Sequence, residues 1–457
     1  MSKSISRGFS IVFLSLILLI FIWSCSPSNH PKGDFESKVD EYMEARLRLN
    51  SFTGSILIAQ NRSLFIKKGY GSADYELDVP NTTATKFRIG SLTKQFTAMA
   101  VMQLQEREKL HVEDTLKQYI PDYPRGDEIT IHHLLTHTSG IPNFTSFPQY
   151  LEWMRLPLTL EEILAEFKNK PLDFNPGEQY SYSNSGYILL GYIIEKVSGL
   201  SYADFVQQNI FDPLGMKNSG YDYNQPVIEN RASGYAKNKG ELVNARYIDM
   251  HVPHAAGALY STVEDLYIWY QSLSRDKLVG MKTLEKIFMP FKNGYAYGWA
   301  VDDIFGRNRV HHSGGINGFS SYIARFPEDN ACIIFLGNME GIPIMKIAED
   351  LAAILFRQPY EIPKIRKPAD INPDTYSRLA GTYRVDENMT FTVTSEDNRL
   401  FMKPAGENSM ELIPESEDTY FVQGDDISVT FIYGEAGQVE KLLLLIDDQE
   451  IPAVKEK

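Results

Sequence analysis

Four prolines, Pro359, Pro363, Pro368 and Pro373, fall within residues 358–374. Proline lacks the backbone N–H that helix and sheet interiors need and holds φ near −65°, so this stretch reads as a stiff connection. It divides the 457-residue chain into two parts with different patterns. Before it, helical and strand periodicities mix over a length that can bury a large core. After it, at residues 375–457, strand-like runs recur at about ten-residue spacing, from Thr390–Thr394 to Val439–Ile446. That rhythm predicts a small all-β domain closed as a barrel. The barrel region has no histidine and no carboxylate cluster suited to chemistry, so a structural or substrate-gating part is expected of it.

The longer part, residues 35–357, opens with a helical face made by Val39, Tyr42, Met43 and Leu47. Two strand runs, Ser55–Ala59 and Ser63–Ile66, follow as a hairpin turned at Asn61-Arg62. From Gln95 to about residue 290 the pattern is mostly helical. Thr159–Phe167 starts on a Thr-x-x-Glu capping box, and Tyr187–Val197, Tyr202–Ile210 and Thr262–Leu273 are the other clear segments. Strand runs return at Tyr297–Val301, Val310–His312, Ser320–Phe326 and Ala331–Leu336, before a last helix from Ile344 to Phe356. The expected class is α/β (α+β): one antiparallel sheet flanked by the terminal helices, with a large helical insert.

At the amino end, Lys3 and Arg7 precede an apolar run from Ile11 to Trp23. At about 13 residues it is shorter than the roughly 20 that span a bilayer, so residues 1–24 read as a signal peptide. The run stops at Cys25, and the order resembles a bacterial lipoprotein signal, with Cys25 lipidated and residues 25–34 as the linker. A plain cleaved signal is the alternative. Either implies export to the periplasm or cell surface, and the first implies a membrane partner through a lipid anchor. Cys332, the second of two cysteines, lies in an apolar run and reads as a buried small hydrophobe. A net charge of −14 argues against nucleic acid as a partner. No spacing of histidines suits a metal, so neither metal nor cofactor is expected. Nothing in the pattern bears on the oligomeric state.

The chemistry concentrates in three places. Ser91 and Lys94 lie one helical turn apart at the head of the apolar segment Gln95–Lys109, so hydroxyl and ammonium can touch. A serine hydroxyl is a poor nucleophile until a neighbouring base or cation activates it. A second stretch, Asn175 to Tyr187, delivers Tyr182, Ser183 and Asn184 onto a helix start through a Pro-Gly turn. A third, His311 to Phe319, runs from a strand into Gly314 and Gly315, where backbone can approach a ligand closely. His137, in Thr136-His137-Thr138-Ser139-Gly140, reads as a loop hydrogen-bonder, and Arg88 as an anchor for the Ser91 turn.

Ser91-x-x-Lys94, Tyr182-Ser183-Asn184 and His312-Ser313-Gly314, in that order, resemble the three motifs of the class C β-lactamase family. That group includes penicillin-binding DD-peptidases, D-aminopeptidases and esterases. The resemblance implies a β-lactamase/transpeptidase-like fold and a serine hydrolase that forms an acyl-enzyme on Ser91. Its substrates would be esters, amides or D-amino-acid peptides, small molecules or peptides of the cell envelope. β-Lactamase or DD-carboxypeptidase activity is an alternative, as is a non-catalytic envelope-binding protein. By the same resemblance Lys94 holds the proton balance, Asn184 bonds substrate or Lys94, and Tyr182 is the general base as phenolate. His312, Gly314 and Gly315 would face substrate, with the Ser91 and Gly315 amides holding the oxyanion. A Lys94 cation about 4 Å from the phenolate contributes about 4 kcal/mol at an effective dielectric near 20. That would lower a tyrosine from about 10 to about 7. In the family it resembles, members that hydrolyse β-lactams usually carry lysine where this chain has His312, and a histidine is mostly neutral at pH 7.

Overall fold

The computed structural model describes residues 32–456 except 365, 387–388, 424–426 and 447–448. Cys25 and the leader, residues 1–24, lie outside the described residues. The first helix, α1 (Lys32–Arg48), begins earlier than the expected Phe35. It leads into β1 (Gly54–Gln60) and β2 (Ser63–Tyr70), which turn at Asn61 and Arg62, both at positive φ. After the insert come β3 (Ala300–Ile304), β4 (Arg307–Ile316), β5 (Phe319–Phe326) and β6 (Ala331–Gly337). They form one six-stranded sheet in the order β3-β4-β5-β6-β1-β2, with every neighbouring pair antiparallel.

Both faces of this sheet are covered, which is why its central strands are apolar without interruption. Alternate residues point to opposite sides. Ile56, Ile58, Ile333 and Phe335 pack with Val39 and Met43 of the first helix and with Leu351 and Leu355 of the last, Ile344–Phe356. Leu57, Ala59, Ile334 and the buried Cys332 join the core of the helical insert on the other side. Two of the expected elements differ. Residues 296–299 make a turn, with Ala296 N–H donating to Trp299 O at 2.7 Å, and the strand starts only at Ala300. The helix from Tyr202 stops at Val206 and widens into a π-turn, Gln207–Phe211.

Beyond residue 358 the chain runs without helix or strand to Asn372 among the described residues. Eight strands between Gly381 and Lys455 then close into a barrel with its own apolar interior, including Tyr383, Leu400, Tyr420, Phe431 and Leu442. Six of the eight match the strand runs of the sequence. The first and last, Gly381–Arg384 and Gln449–Lys455, close the barrel on each other. Their polar residues and Pro452 hide them from an apolar alternation.

Candidate active site

Ser91 sits in a short 3₁₀ turn, Gly90–Leu92, ahead of the helix α2 (Thr93–Glu106). Two contacts set this turn. Gly90 has φ +48°, and a Cβ there would lie 2.8 Å from the Gly315 carbonyl oxygen. Gly314 lies under the turn, where a Cβ would come within 2.3 Å of the Ile89 carbonyl. Only glycine permits this approach, and it brings the backbone of β4 against the Ser91 turn. Gly314 is therefore a packing residue, whereas nothing lies within 4 Å of a Cβ on Gly315, which lines the cavity beside Ser91. Arg88 anchors the strand leading in: its Nε donates to the buried Asp222 carboxylate at 2.7 Å.

One turn into the helix, Lys94 is fully buried. Its Nζ lies 3.0 Å from Ser91 Oγ, 2.8 Å from Asn184 Oδ1 and 2.9 Å from the Ala256 carbonyl. No carboxylate is among these partners. Burial holds the Lys94 ammonium well below the usual lysine range. Asn184 is held in turn, its Nδ2 donating to Asn143 Oδ1 and Thr145 Oγ1, each at 3.2 Å. That fixes Oδ1 toward the lysine. A neutral amine has two N–H donors and one lone pair. Asn184 Oδ1 and Ala256 O can only accept, so a neutral Lys94 turns its lone pair to the Ser91 hydroxyl.

Tyr182 faces Ser91, and its surroundings favour the neutral phenol. Desolvation pushes its phenol up, with the Ser91 contact lowering it by less. Lys94 Nζ lies 4.9 Å from the centre of the Tyr182 ring. Burial also disfavours the ammonium itself. Both shifts run against the expected resting phenolate.

Tyr182 is positioned by His137. The His137 carbonyl accepts from Ser181 N–H at 2.9 Å, and its ring Nδ1 accepts from Ser183 N–H at 3.1 Å. Its ring lies 4.2 Å from that of Tyr182, centre to centre. These contacts grip the chain on both sides of the tyrosine. His137 adopts φ +56° to make them, an uncommon conformation for a non-glycine residue.

His312 is buried behind Tyr182, ring centres 6.4 Å apart. Its Nδ1 donates to its neighbour's carbonyl, Ser313 O, at 2.5 Å, so Nε2 accepts from the Tyr295 hydroxyl at 2.9 Å. Burial, with Lys94 second, pushes His312 down to about 3. It is neutral as expected, but it does not line the cavity beside Ser91, where the resemblance put a substrate contact. That cavity, about 190 Å³, is walled instead by Ser91, Thr145, Tyr150, Asn184, Ile248 and Gly315, among others. Asn143, Thr145, Tyr295 and the Ala256 carbonyl carry no motif of their own, and sequence reasoning missed them. Among the described residues no group of three or more His, Cys, Asp or Glu side chains could hold a metal ion.

A fold of this kind, with serine and lysine one turn apart and a tyrosine opposite, defines a class of serine hydrolases. A family model described as Beta-lactamase matches residues 35–355, and the chain belongs to that family. Residues 366–454 match a second model, a domain of unknown function, DUF3471. Penicillin-binding protein 4* of Bacillus subtilis is 32% identical over 441 residues, covering 89% of this chain and 96% of the relative. The solved octameric penicillin-binding protein homologue of Pyrococcus abyssi is 28% identical, with a TM-score of 0.63 over 93% of this chain and all of that one. A D-amino acid amidase of Ochrobactrum anthropi, 23% identical, shares the fold at a TM-score of 0.64 over 71% of this chain and 99% of its own.

Proposed function

We propose that this protein cleaves ester, amide or D-amino-acid peptide bonds at the cell envelope through an acyl-enzyme on Ser91. One observation carries the reading: Lys94 is fully buried and touches Ser91 together with uncharged oxygens. A cation buried without a counter-charge is costly, and the neutral amine it favours is a base. Ser91 Oγ attacks the carbonyl carbon while its proton passes to Lys94 Nζ. The Tyr182 phenol protonates the leaving group, leaving Tyr182 phenolate beside Lys94 ammonium in the acyl-enzyme. Water then attacks the ester, giving its proton to the phenolate, and Ser91 recovers its own from Lys94. The phenolate of the family resemblance thus enters at the second half of the cycle. The Ser91 and Gly315 amides, on abutting backbones, receive the oxyanion.

The relatives' names, penicillin-binding protein and D-amino acid amidase, point to amide chemistry on D-configured substrates. The neutral His312 supplies no permanent cation for a penicillin carboxylate, which favours such amides over β-lactam turnover. Labelling with a fluorophosphonate or fluorescent penicillin, with the adduct mapped by mass spectrometry, is expected to modify Ser91. An adduct elsewhere, or turnover in Ser91→Ala within about tenfold of the parent, would overturn the assignment. The leader ending at Cys25 supports export with a lipid anchor. Incorporation of labelled palmitate that Cys25→Ser abolishes is the matching test.

A further inference from the structure

Ligand sites that enclose a whole small molecule measure about 300–1,000 Å³. The cavity beside Ser91, at about 190 Å³, falls short of that range. A second cavity of about 680 Å³ falls inside it, and the two share Tyr150 and Asn317 as wall residues. The larger one lies between the hydrolase and the barrel. Leu151, Met154, Lys237 and Arg246 form its hydrolase side, and Glu407 and Met410 are on the barrel side. We infer that the two cavities are one cleft, and that the substrates are peptides of several residues rather than small amides or esters. This rests on the hydrolase reading above.

The barrel side is held in place by directed bonds. Arg246 Nη1 donates to Gly406 O at 3.0 Å, and Lys239 N–H donates to Ser409 O at 2.6 Å. Arg399 Nη2 reaches Lys239 O at 3.2 Å, and Lys239 pairs with Glu396. Glu340 joins the two sides, accepting from Gly318 N–H at 2.9 Å and from Asn408 Nδ2 at 3.3 Å. Gly318 closes the turn that follows Gly315 and Asn317, so the barrel is tied to the segment carrying the oxyanion amide. The Arg246 carbonyl accepts from Asn317 Nδ2 at 3.0 Å, which fixes the shared wall.

The lining suits a peptide. Apolar Leu151, Met154 and Met410 lie among charged groups. Lys237 and Glu407 make no ion pair among the described residues, leaving one cation and one anion for a ligand. A chain with mixed side chains and amide groups meets both kinds of surface, whereas a single amino-acid amide fills only the Ser91 end.

The test compares a D-alanyl amide with two longer forms of the same bond, one lengthened by a short peptide on the acyl side and one on the leaving-group side. In the full chain, one of the two is expected to gain about tenfold or more in kcat/KM. Lys237→Glu and, separately, Leu151→Arg should remove that gain. Each should leave the unextended amide within about twofold of the parent, since neither residue touches Ser91, Lys94 or Tyr182. A flat length series with normal turnover of the short amide overturns the cleft and leaves the hydrolase standing. So does a gain that both variants keep. No turnover of any substrate, with no adduct on Ser91, overturns the hydrolase reading and the cleft together.

Discussion

Two of the buried cations of the hydrolase, Arg46 and Lys94, have surroundings that differ in kind. Arg46, on the first helix, faces the last helix, where Asp350 stands 3.5 Å from its Nη2 and Tyr42 bridges the two. Lys94, on the opposite side of the sheet, faces a hydroxyl, an amide oxygen, a backbone carbonyl and the rings of Tyr182 and Tyr187, with no carboxylate among them. At Arg46 the carboxylate of Asp350 supplies a counter-charge, which favours the charged form. Lys94 is denied one, which makes it ready to take a proton. The first arrangement locks the two terminal helices together. In the proposed mechanism the second stores a base next to a nucleophile.

Exchanging the roles is the strongest way to break this contrast. Lys94→Met should lower kcat/KM by about 10⁴-fold or more, the loss seen when one member of a catalytic unit is removed. The melting temperature should hold or rise, because an uncompensated buried amine is replaced by an apolar chain of similar length. A variant that unfolds instead would make Lys94 a structural cation like Arg46. The converse variant, Asp350→Ala, leaves Arg46 buried without its carboxylate and should cost about 3 kcal/mol in urea denaturation. Its kcat at a temperature where it stays folded should match the parent. A large drop in kcat there would show that the helix staple also serves the site.

Smaller effects sharpen the picture around the base. His137→Ala keeps the backbone bond to Ser181 but removes the acceptor of Ser183 N–H and the ring packed on Tyr182, and should lower kcat about ten- to a hundredfold with KM nearly unchanged. His137→Asn should recover most of that loss. Its Oδ1 can replace Nδ1 as acceptor, and asparagine tolerates positive φ. Equal losses in both variants would mean that the ring packing, not the hydrogen bond to Ser183, holds the tyrosine.

The effect smallest at neutral pH concerns His312, neutral in the fold with its value pushed down to about 3. In the unfolded chain it titrates near 6.5. Between those values only the unfolded chain binds the proton, so the His312 contribution is complete above about pH 6.5 and is lost as pH falls toward about 3. The slope is about 1.4 kcal/mol per pH unit. Denaturation midpoints of the parent should therefore fall more steeply with acid than those of His312→Gln. Parallel curves would place His312 in contact with water.

Much of this was legible in the residues. The helix Ile344–Phe356 and the hairpin at Asn61-Arg62 follow from local periodicity and turn chemistry, which act over a few residues. The barrel's six inner strand runs follow for the same reason, while its two closing strands are held by pairing with each other across the chain's length. The candidate site divides the same way. Ser91 and Lys94 meet because a helix turn brings them together, and that needs nothing but their spacing.

What the sequence determined by itself was therefore the family and the set of candidate side chains for its chemistry. Whether Lys94 is charged and where Tyr182 holds its proton were decided by tertiary structure. So were the direction in which His312 looks and the joining of the barrel to the pocket. The physical reason is that protonation answers to burial and to every oxygen nearby. Two of the three oxygens around Lys94 come from Asn184 and from the backbone of Ala256, far along the chain. A backbone carbonyl has no residue signature, and burial belongs to the packed molecule rather than to any residue in it.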